Sequence, residues 1–350
     1  MKNEVMFTFT HYSLLITYYS LLITYYSLLI THYSLLITHY SFLITYHRMF
    51  EITILGCGSA TPSLKHMPSS QVVDHNGKYF MIDCGEGTQL EVRRRSIKMS
   101  RLNNIFISHL HGDHILGLPG LLSSLSLHDF TGEMHVYMLP EGIDVIKQTL
   151  ATFAHEPNYT LTFHPLTVEN KVIYEDTTMT VETFPLSHTV PAVGFLFKEK
   201  PKPRRIIGEM VEFHQVPLRE RAALKDGADY IKEDGTVVPN RMLTRDPEPP
   251  SIYAYASDTM PCRSVREAVA GVDLLYHEAT YGDDKAAQAH GRGHSTAREA
   301  GRVAREAGAK QLVIGHFSKA YNNTEQVLLD QAREEYPTAI LAYEGLRIKC

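Results

Sequence analysis

The sequence predicts an α/β fold from residue 49 onward. Two observations carry this. Short apolar runs of strand length alternate with stretches of helical period, and the strand-like runs repeatedly end on glycine, histidine or aspartate. Polar residues at the carboxyl ends of strands are how α/β proteins build their sites. The composition agrees, with 44% hydrophobic and 21% charged residues, ordinary for a globular chain of 350 residues with a sizeable core.

In order, Phe50–Leu55 alternates and runs into the turn Gly56-Cys-Gly58. Tyr79–Ile82 is an apolar run ending at Asp83, followed by the tight loop Gly85-Glu-Gly87. Gln89–Lys98 reads as a basic helix carrying Arg93, Arg94 and Arg95, and Asn104–Ser108 as a buried strand that delivers the chain into a histidine cluster. Leu116–Leu127 reads as a helix. Strands are expected near Met134–Met138, Lys171–Tyr174, Met179–Phe184, Ile252–Ala256, Leu274–Tyr276 and Gln311–Ile314. A helix is expected from Ser295 to Ala307, stopped by Gly308. Residues 198–250 break the pattern, being rich in proline and charge.

The first 48 residues are of another kind. Residues 11–45 are five copies of one heptad, His-Tyr-Ser-Leu-Leu-Ile-Thr with small variations. A membrane span fits poorly, because about half of each repeat is Tyr, Ser, Thr or His. A coiled coil fits poorly, because Leu-Leu-Ile is contiguous rather than spaced three and four apart. The genetic code fits better: the seven bases CATTACT written three times translate as His-Tyr-Ser-Leu-Leu-Ile-Thr. Residues 1–48 are therefore expected to be a repeat-derived extension from a mis-assigned start, with Met49 the natural start, and are set aside from fold reasoning.

Charge and cysteines narrow the classes. There are 34 basic against 39 acidic residues, a net charge of −5, so any nucleic-acid binding must rest on a local basic patch. The four cysteines, Cys57, Cys84, Cys262 and Cys350, form no C-x-x-C pair. A cysteine metal site and a disulfide framework are both disfavoured, and a reducing, cytoplasmic setting fits.

The strongest local signal is His109-Leu-His111-Gly-Asp113-His114. In extended chain His109 and His111 point the same way and can reach one ion. Gly112 permits a turn that lets Asp113 and His114 face a second. Imidazole and carboxylate suit zinc. His188, Asp258 and His316 each follow an expected strand and complete a two-metal set.

With these residues the chain resembles the metallo-β-lactamase superfamily and, within it, the ribonuclease Z family. The first rests on H-x-H-x-D-H. The second rests on Asp83-Cys-Gly-Glu-Gly-Thr-Gln89, Gly117-Leu-Pro-Gly-Leu121, Ser257-Asp-Thr259, His277-Glu-Ala-Thr280, His294-Ser-Thr296 and Gly315-His-Phe-Ser318. The resemblance implies a four-layer αββα sandwich with a protruding substrate arm, here residues 198–250. It implies a zinc-dependent endoribonuclease that removes 3′ trailers from tRNA precursors and leaves a 3′-hydroxyl, working as a homodimer with two Zn2+ per subunit. His109, His111 and His188 would hold one zinc, and Asp113, His114 and His316 the other. Asp258 would bridge them, and Asp83 would orient a ligand histidine. Asp113 would also steer the nucleophile, and His294, oriented by Glu278, would protonate the leaving 3′-oxygen.

Candidate substrate contacts are the basic run Lys198, Lys200, Lys202, Arg204 and Arg205 at the start of the arm, Lys65 and His66 in the loop after the first strand, Lys319, and Arg93–Arg95. Two departures stand out. The arm stretch Val216-Pro-Leu-Arg-Glu220 lacks the glycine that many relatives place before proline. Where many relatives read Ser-x-Arg-Tyr, this chain reads Ser318-Lys-Ala-Tyr321. The competing expectations are a hydrolase of small phosphodiesters, thioesters or lactones on the same fold, a non-catalytic RNA-binding protein, and a membrane-tethered protein using residues 1–48. The intact ligand set argues against the second.

Overall fold

A computed structural model describes residues 18–33, 50–127, 130–154 and 157–350. The chain divides into two units, Met1–Arg48 and Met49–Cys350. In the first, residues 18–33 form a helix whose side chains are all exposed. Thr24 and Thr31 donate their hydroxyls back to the carbonyls of Ser20 and Ser27. Among the described residues no helix is long and apolar enough to cross a membrane.

The second unit is built on two seven-stranded sheets. The first contains β1 (Phe50–Gly56), β2 (Ser70–His75), β3 (Lys78–Ile82), β4 (Leu102–Phe106), β5 (Glu133–Met138) and β6 (Thr160–Pro165). The chain then enters the second sheet with β7 (Lys171–Glu175), β8 (Met179–Pro185) and β9 (Val193–Glu199). It leaves for an excursion holding four two-residue strands, β10 (Arg205–Ile206), β11 (Tyr230–Ile231), β12 (Val237–Val238) and β13 (Thr244–Arg245). It returns through β14 (Ile252–Ala256), β15 (Leu274–Glu278), β16 (Leu312–Gly315) and β17 (Ile340–Leu341), and β18 (Arg347–Lys349) closes back onto the first sheet. The sheet orders are β18-β1-β2-β3-β4-β5-β6 and β17-β16-β15-β14-β9-β8-β7.

The sheets face each other across an aromatic core. Phe106 meets Phe195 with ring centroids 5.6 Å apart, and Phe80 meets Phe197 at 6.0 Å. The outer face of the first sheet is covered by apolar residues of helices Thr88–Arg94, Leu118–Leu127 and Pro140–Phe153. Helices Ala297–Ala307 and Glu325–Glu335 bring Ala300, Val303, Ala304, Leu328 and Ala332 into the core of the second sheet. This is the expected αββα order.

The expected elements stand, with shifted ends. The basic helix stops at Arg94, because Ser96 takes a left-handed φ of 55°. The helix expected from Ser295 begins at Ala297, because Thr296 caps it: its hydroxyl accepts from the Glu299 amide while the Glu299 carboxylate accepts from the Thr296 amide. Gly308, with φ 66°, ends it as expected. The arm begins two residues later than its charge suggested, because Lys198 and Glu199 complete β9. Val211, Val216, Leu224, Val238 and Leu243 form a small separate core inside it.

Candidate active site

Strands β3, β4 and β5 run parallel in one sheet, and β14, β15 and β16 in the other. β8 and β14 are each antiparallel to β9 and so parallel to each other. The seven metal-ligand candidates follow the carboxyl ends of β4, β8, β14 and β16. The chain leaves β3 at Asp83 with a φ of 55° and β16 at His316 with 61°, both left-handed. Such backbone is costly for a residue with a side chain and clusters at functional sites.

From these ends the side chains converge. The ligand atoms of His109, His111, His188 and Asp258 all lie within 4.8 Å of one another, and so do those of Asp113, His114 and His316. His111 Nδ1 is 3.1 Å from the Nε2 atoms of both His109 and His188. Asp258 divides its two oxygens between the groups. Oδ2 lies 3.5 Å from His109 Nε2 and 3.7 Å from His188 Nε2, while Oδ1 lies 3.4 Å from His114 Nε2 and 3.1 Å from His316 Nε2.

Four of the five imidazoles are oriented through their other nitrogen. His188 Nδ1 donates to the Gly293 carbonyl at 2.8 Å, and His316 Nδ1 meets the Thr280 hydroxyl at 2.9 Å. His109 Nδ1 meets the Ser108 hydroxyl at 3.0 Å, and His114 Nδ1 meets Asp83 Oδ2 at 2.8 Å. Asp83 is itself buried and accepts from Ser108 N, Ser108 Oγ and Tyr255 Oη at 2.7, 2.9 and 2.8 Å. Asp83 thus fixes the His114 ring through Nδ1. Gly112–Ile115 is one helical turn, and it sends Asp113 and His114 toward the second group.

The electrostatics call for cations. Burial works against a charge on His114, yet Asp258 and Asp83 outweigh it and hold the ring well above the usual histidine range. Burial lowers His109 and His188. Burial would raise Asp258 and Asp113, but the surrounding histidines dominate and keep both ionised. The buried His114 Nε2 has no hydrogen-bond partner although it points among carboxylate oxygens. A buried polar atom without a partner is expensive, and a divalent ion that displaces the Nε2 proton would satisfy both the ring nitrogen and the carboxylates around it. The residues present therefore fit metal ions.

Beside the cluster, His294 Nδ1 is 2.9 Å from Glu278 Oε1. Glu278, fully buried at the end of β15, also accepts from Thr259 N at 2.8 Å and from the Thr280 hydroxyl at 2.5 Å. Burial lowers the His294 pKa, but Glu278 and then Asp258 overcome it and hold the ring at about 9. Nδ1 is committed to Glu278, which leaves Nε2 for a ligand. A cavity of about 470 Å³ opens over the cluster, with His111, Asp113, His188, Asp258, His294 and His316 in its wall.

Curated relatives decide the family. A ribonuclease Z of Bacteroides fragilis strain YCH46 is 48% identical over 301 residues, 85% of this chain and 98% of the relative. One from Porphyromonas gingivalis strain W83 is 46% identical over 301 residues, again 85% of this chain and 98% of the relative. This chain belongs to the ribonuclease Z family. Human tRNase Z, short form, superposes with a TM-score of 0.62 at 25% identity over 85% of this chain and 98% of its own. The metallo-β-lactamase fold protein YhfI of Bacillus subtilis shares the fold, with a TM-score of 0.60 at 16% identity over 86% of this chain and all of its own. A family model described as anti-Pycsar protein Apyc1 matches residues 50–203. The expectations of a metallo-β-lactamase fold and a ribonuclease Z-type enzyme are both borne out.

The structure brings the ligand candidates together, but most of the expected substrate contacts lie elsewhere. His66 is a correction. It is buried, and its Nδ1 and Nε2 meet Glu344 at 3.1 Å and Glu325 at 3.1 Å, so it braces the loop instead of facing RNA. Lys65 reaches Glu325 at 2.6 Å. The run 198–205 is not a free patch either. Lys198 lies on β9 and pairs with Glu182 at 2.6 Å, Lys200 with Glu175 at 2.5 Å, Lys202 with Glu199 at 3.8 Å, and Arg204 with Asp246. Arg205 and Lys319 are exposed. Arg94 and Arg95 both pair with Glu91, and Arg93 lines an apolar cavity beside Leu121 and Leu125.

Sequence reasoning missed Ser108 and Tyr255, which hold Asp83, and Arg292, which lines the cavity. Only Arg292 left a signal, its position two residues before His294.

Proposed function

We propose that this chain is a zinc-dependent endoribonuclease that removes 3′ trailers from tRNA precursors and leaves a tRNA 3′-hydroxyl. The observation that carries the reading is Asp258, whose two oxygens serve two separate histidine groups, with the His294–Glu278 pair beside them. Two Zn2+ per subunit are proposed, one among His109, His111 and His188, the other among Asp113, His114 and His316, with Asp258 between. Zinc ions so held lower the pKa of water and neutralise charge on phosphate oxygens.

The protein's own groups do the rest. Asp113 Oδ2 accepts from the Ala60 amide at 2.6 Å, which fixes the carboxylate to orient the attacking water. The P–O3′ bond breaks, and His294 gives its proton to the departing 3′-oxygen. Glu278 holds the imidazole in place and keeps it protonated. The arm from residue 200 to 250 follows the carboxyl end of β9 and is proposed to grip the tRNA body, across the boundary of a homodimer. The exposed ion pairs at its base are weak and can exchange for phosphate contacts. A cytoplasmic setting completes the reading.

We further infer that residues 1–48 come from a mis-assigned start. The 301 residues aligned with the Bacteroides relative account for 98% of its length. Peptide mapping of the native N-terminus tests this, and recovery of peptides from the repeat would overturn it.

The function is tested with the Met49-start protein, zinc and a 3′-extended tRNA precursor. One cut at the trailer junction, absent in Asp113→Ala, is the expected result. No cut from a protein shown to hold two zinc ions would refute the substrate assignment and favour a small-ester substrate.

A further inference from the structure

Among the described residues lining the cavity, Arg292 is the one side chain with a permanent positive charge. Its surroundings are unusual for an arginine so close to carboxylates. Nη1 donates to Tyr281 Oη at 3.1 Å, and no carboxylate among the described residues stands within ion-pair distance. The side chain is exposed at the rim, so its remaining donors are open. Guanidinium is the group of choice for phosphate, which it meets with paired hydrogen bonds.

The backbone beneath it is tied to the site. Arg292 N reaches the carbonyls of Gln288 and Ala289, ending helix Ala286–Gly291. Gly293 follows with a left-handed φ of 75° and gives its carbonyl to His188. His294 comes next, held by Glu278. The partner of Arg292, Tyr281, sets its ring edge-on to His294, with centroids 6.1 Å apart. Arg292 therefore stands on the His294 side of the cavity, where the 3′-oxygen leaves.

We propose that Arg292 binds the phosphate on the 5′ side of the cut, one nucleotide into the tRNA body, and so sets where the strand lies relative to His294. This rests on the endoribonuclease reading above. The leaving 3′-oxygen belongs to the tRNA body. A cation on that side meets the body's next phosphate and not the trailer's. Arg292 is thus a specificity-determining contact that distinguishes a polynucleotide from a small diester.

The test uses the zinc-loaded full chain and three precursors: one unmodified, one with a neutral methylphosphonate at the flanking phosphate 5′ of the cut, and one with it 3′ of the cut. On the unmodified precursor Arg292→Ala is expected to lower kcat/KM about 10- to 100-fold, the worth of a charged hydrogen bond. Arg292→Lys, which keeps the charge but not the fork, falls between. The cost of Arg292→Ala should shrink to less than about threefold on the 5′-neutral precursor, where the partner charge is already gone, and persist on the 3′-neutral one. Arg292→Ala cutting the unmodified precursor as well as wild type, or a cost that vanishes with the 3′ substitution, overturns the assignment and leaves the endoribonuclease reading intact. A wild-type chain that cuts none of the three overturns both.

Discussion

Replacing Glu278 with glutamine keeps the shape of the His294 partner and removes its charge. The structure sets the size of the effect. With Glu278 in place His294 is held at about 9; without it, burial pulls the ring back toward the ordinary 6.5 or lower. At pH 8 a group of pKa 9 is about nine-tenths protonated, and one of pKa 6.5 about 3%. A general acid in that position should therefore lose about 30-fold in rate at pH 8 and far less at pH 6. The assay is a pH profile of kcat/KM on a 3′-extended tRNA precursor for wild type and Glu278→Gln. Bound cations move both alkaline limbs down together, so the difference between the limbs is the quantity read. It should be about two and a half pH units, with the limb of the Glu278→Gln variant lower. The same pair also stabilises the metal-free fold. Because the folded-state pKa of His294 is raised, that contribution is complete below pH 6.5 and is lost as pH rises through 9. An unmoved alkaline limb, with activity lowered evenly at every pH, would refute His294 as an acid tuned by Glu278.

Asp83→Asn should weaken zinc binding about 10- to 100-fold by chelator competition, because the His114 ring loses the carboxylate that orients it; unchanged affinity would remove Asp83 from the site. Gly293→Ala places a methyl 2.8 Å from His188 Nδ1 and 2.9 Å from Thr189 N on left-handed backbone. It should displace His188 and cost more than about tenfold in metal affinity, at about 1–3 kcal/mol of strain, with the far-UV spectrum retained. In the arm, Asn240 holds the carbonyls of Leu224 and Ala228 at 2.8 and 2.7 Å and accepts from Thr244. Asn240→Ala should cost about 2–4 kcal/mol locally. Hydrogen exchange should quicken in the arm and affinity for precursor tRNA should fall, while the metal content of the protein stays as it was.

The metal-ligand candidates were legible because four of the seven are neighbours in sequence and the other three follow apolar runs. The sequence marks such a site wherever chemistry is local. It is silent where a partner lies far along the chain. His66 reads as a cation for RNA, but the glutamates that bury it are Glu325 and Glu344, brought in by the C-terminal segment. Lys198 reads as the start of the arm, but pairing with β8 and β14 makes it the end of a strand. Strand β2 escaped notice because Gln71 and His75 break its apolar pattern. Both are buried, and one polar atom of each is met from the opposite sheet, Gln71 Oε1 by Tyr253 and His75 Nε2 by Glu199. Tyr255 and Ser108 left no trace for the same reason: their role is defined by Asp83, which only the folded chain puts between them.

The division of Asp258 between two histidine groups bears on how the protein is made. His109, His111, Asp113 and His114 emerge from the ribosome on the first sheet's half of the chain. His188, Asp258 and His316 come later. A nascent chain with only the first half folded offers four donors, no bridging carboxylate and no partner half to complete either shell. Its grip on a cation is correspondingly loose, so an ion of the wrong kind caught early can still escape. Selection of a metal would thus be deferred until the second sheet closes over the first. Ions held by donors from both halves would be rivets through both sheets, and removing them should loosen the seam where Phe106 meets Phe195 before it disturbs either sheet alone.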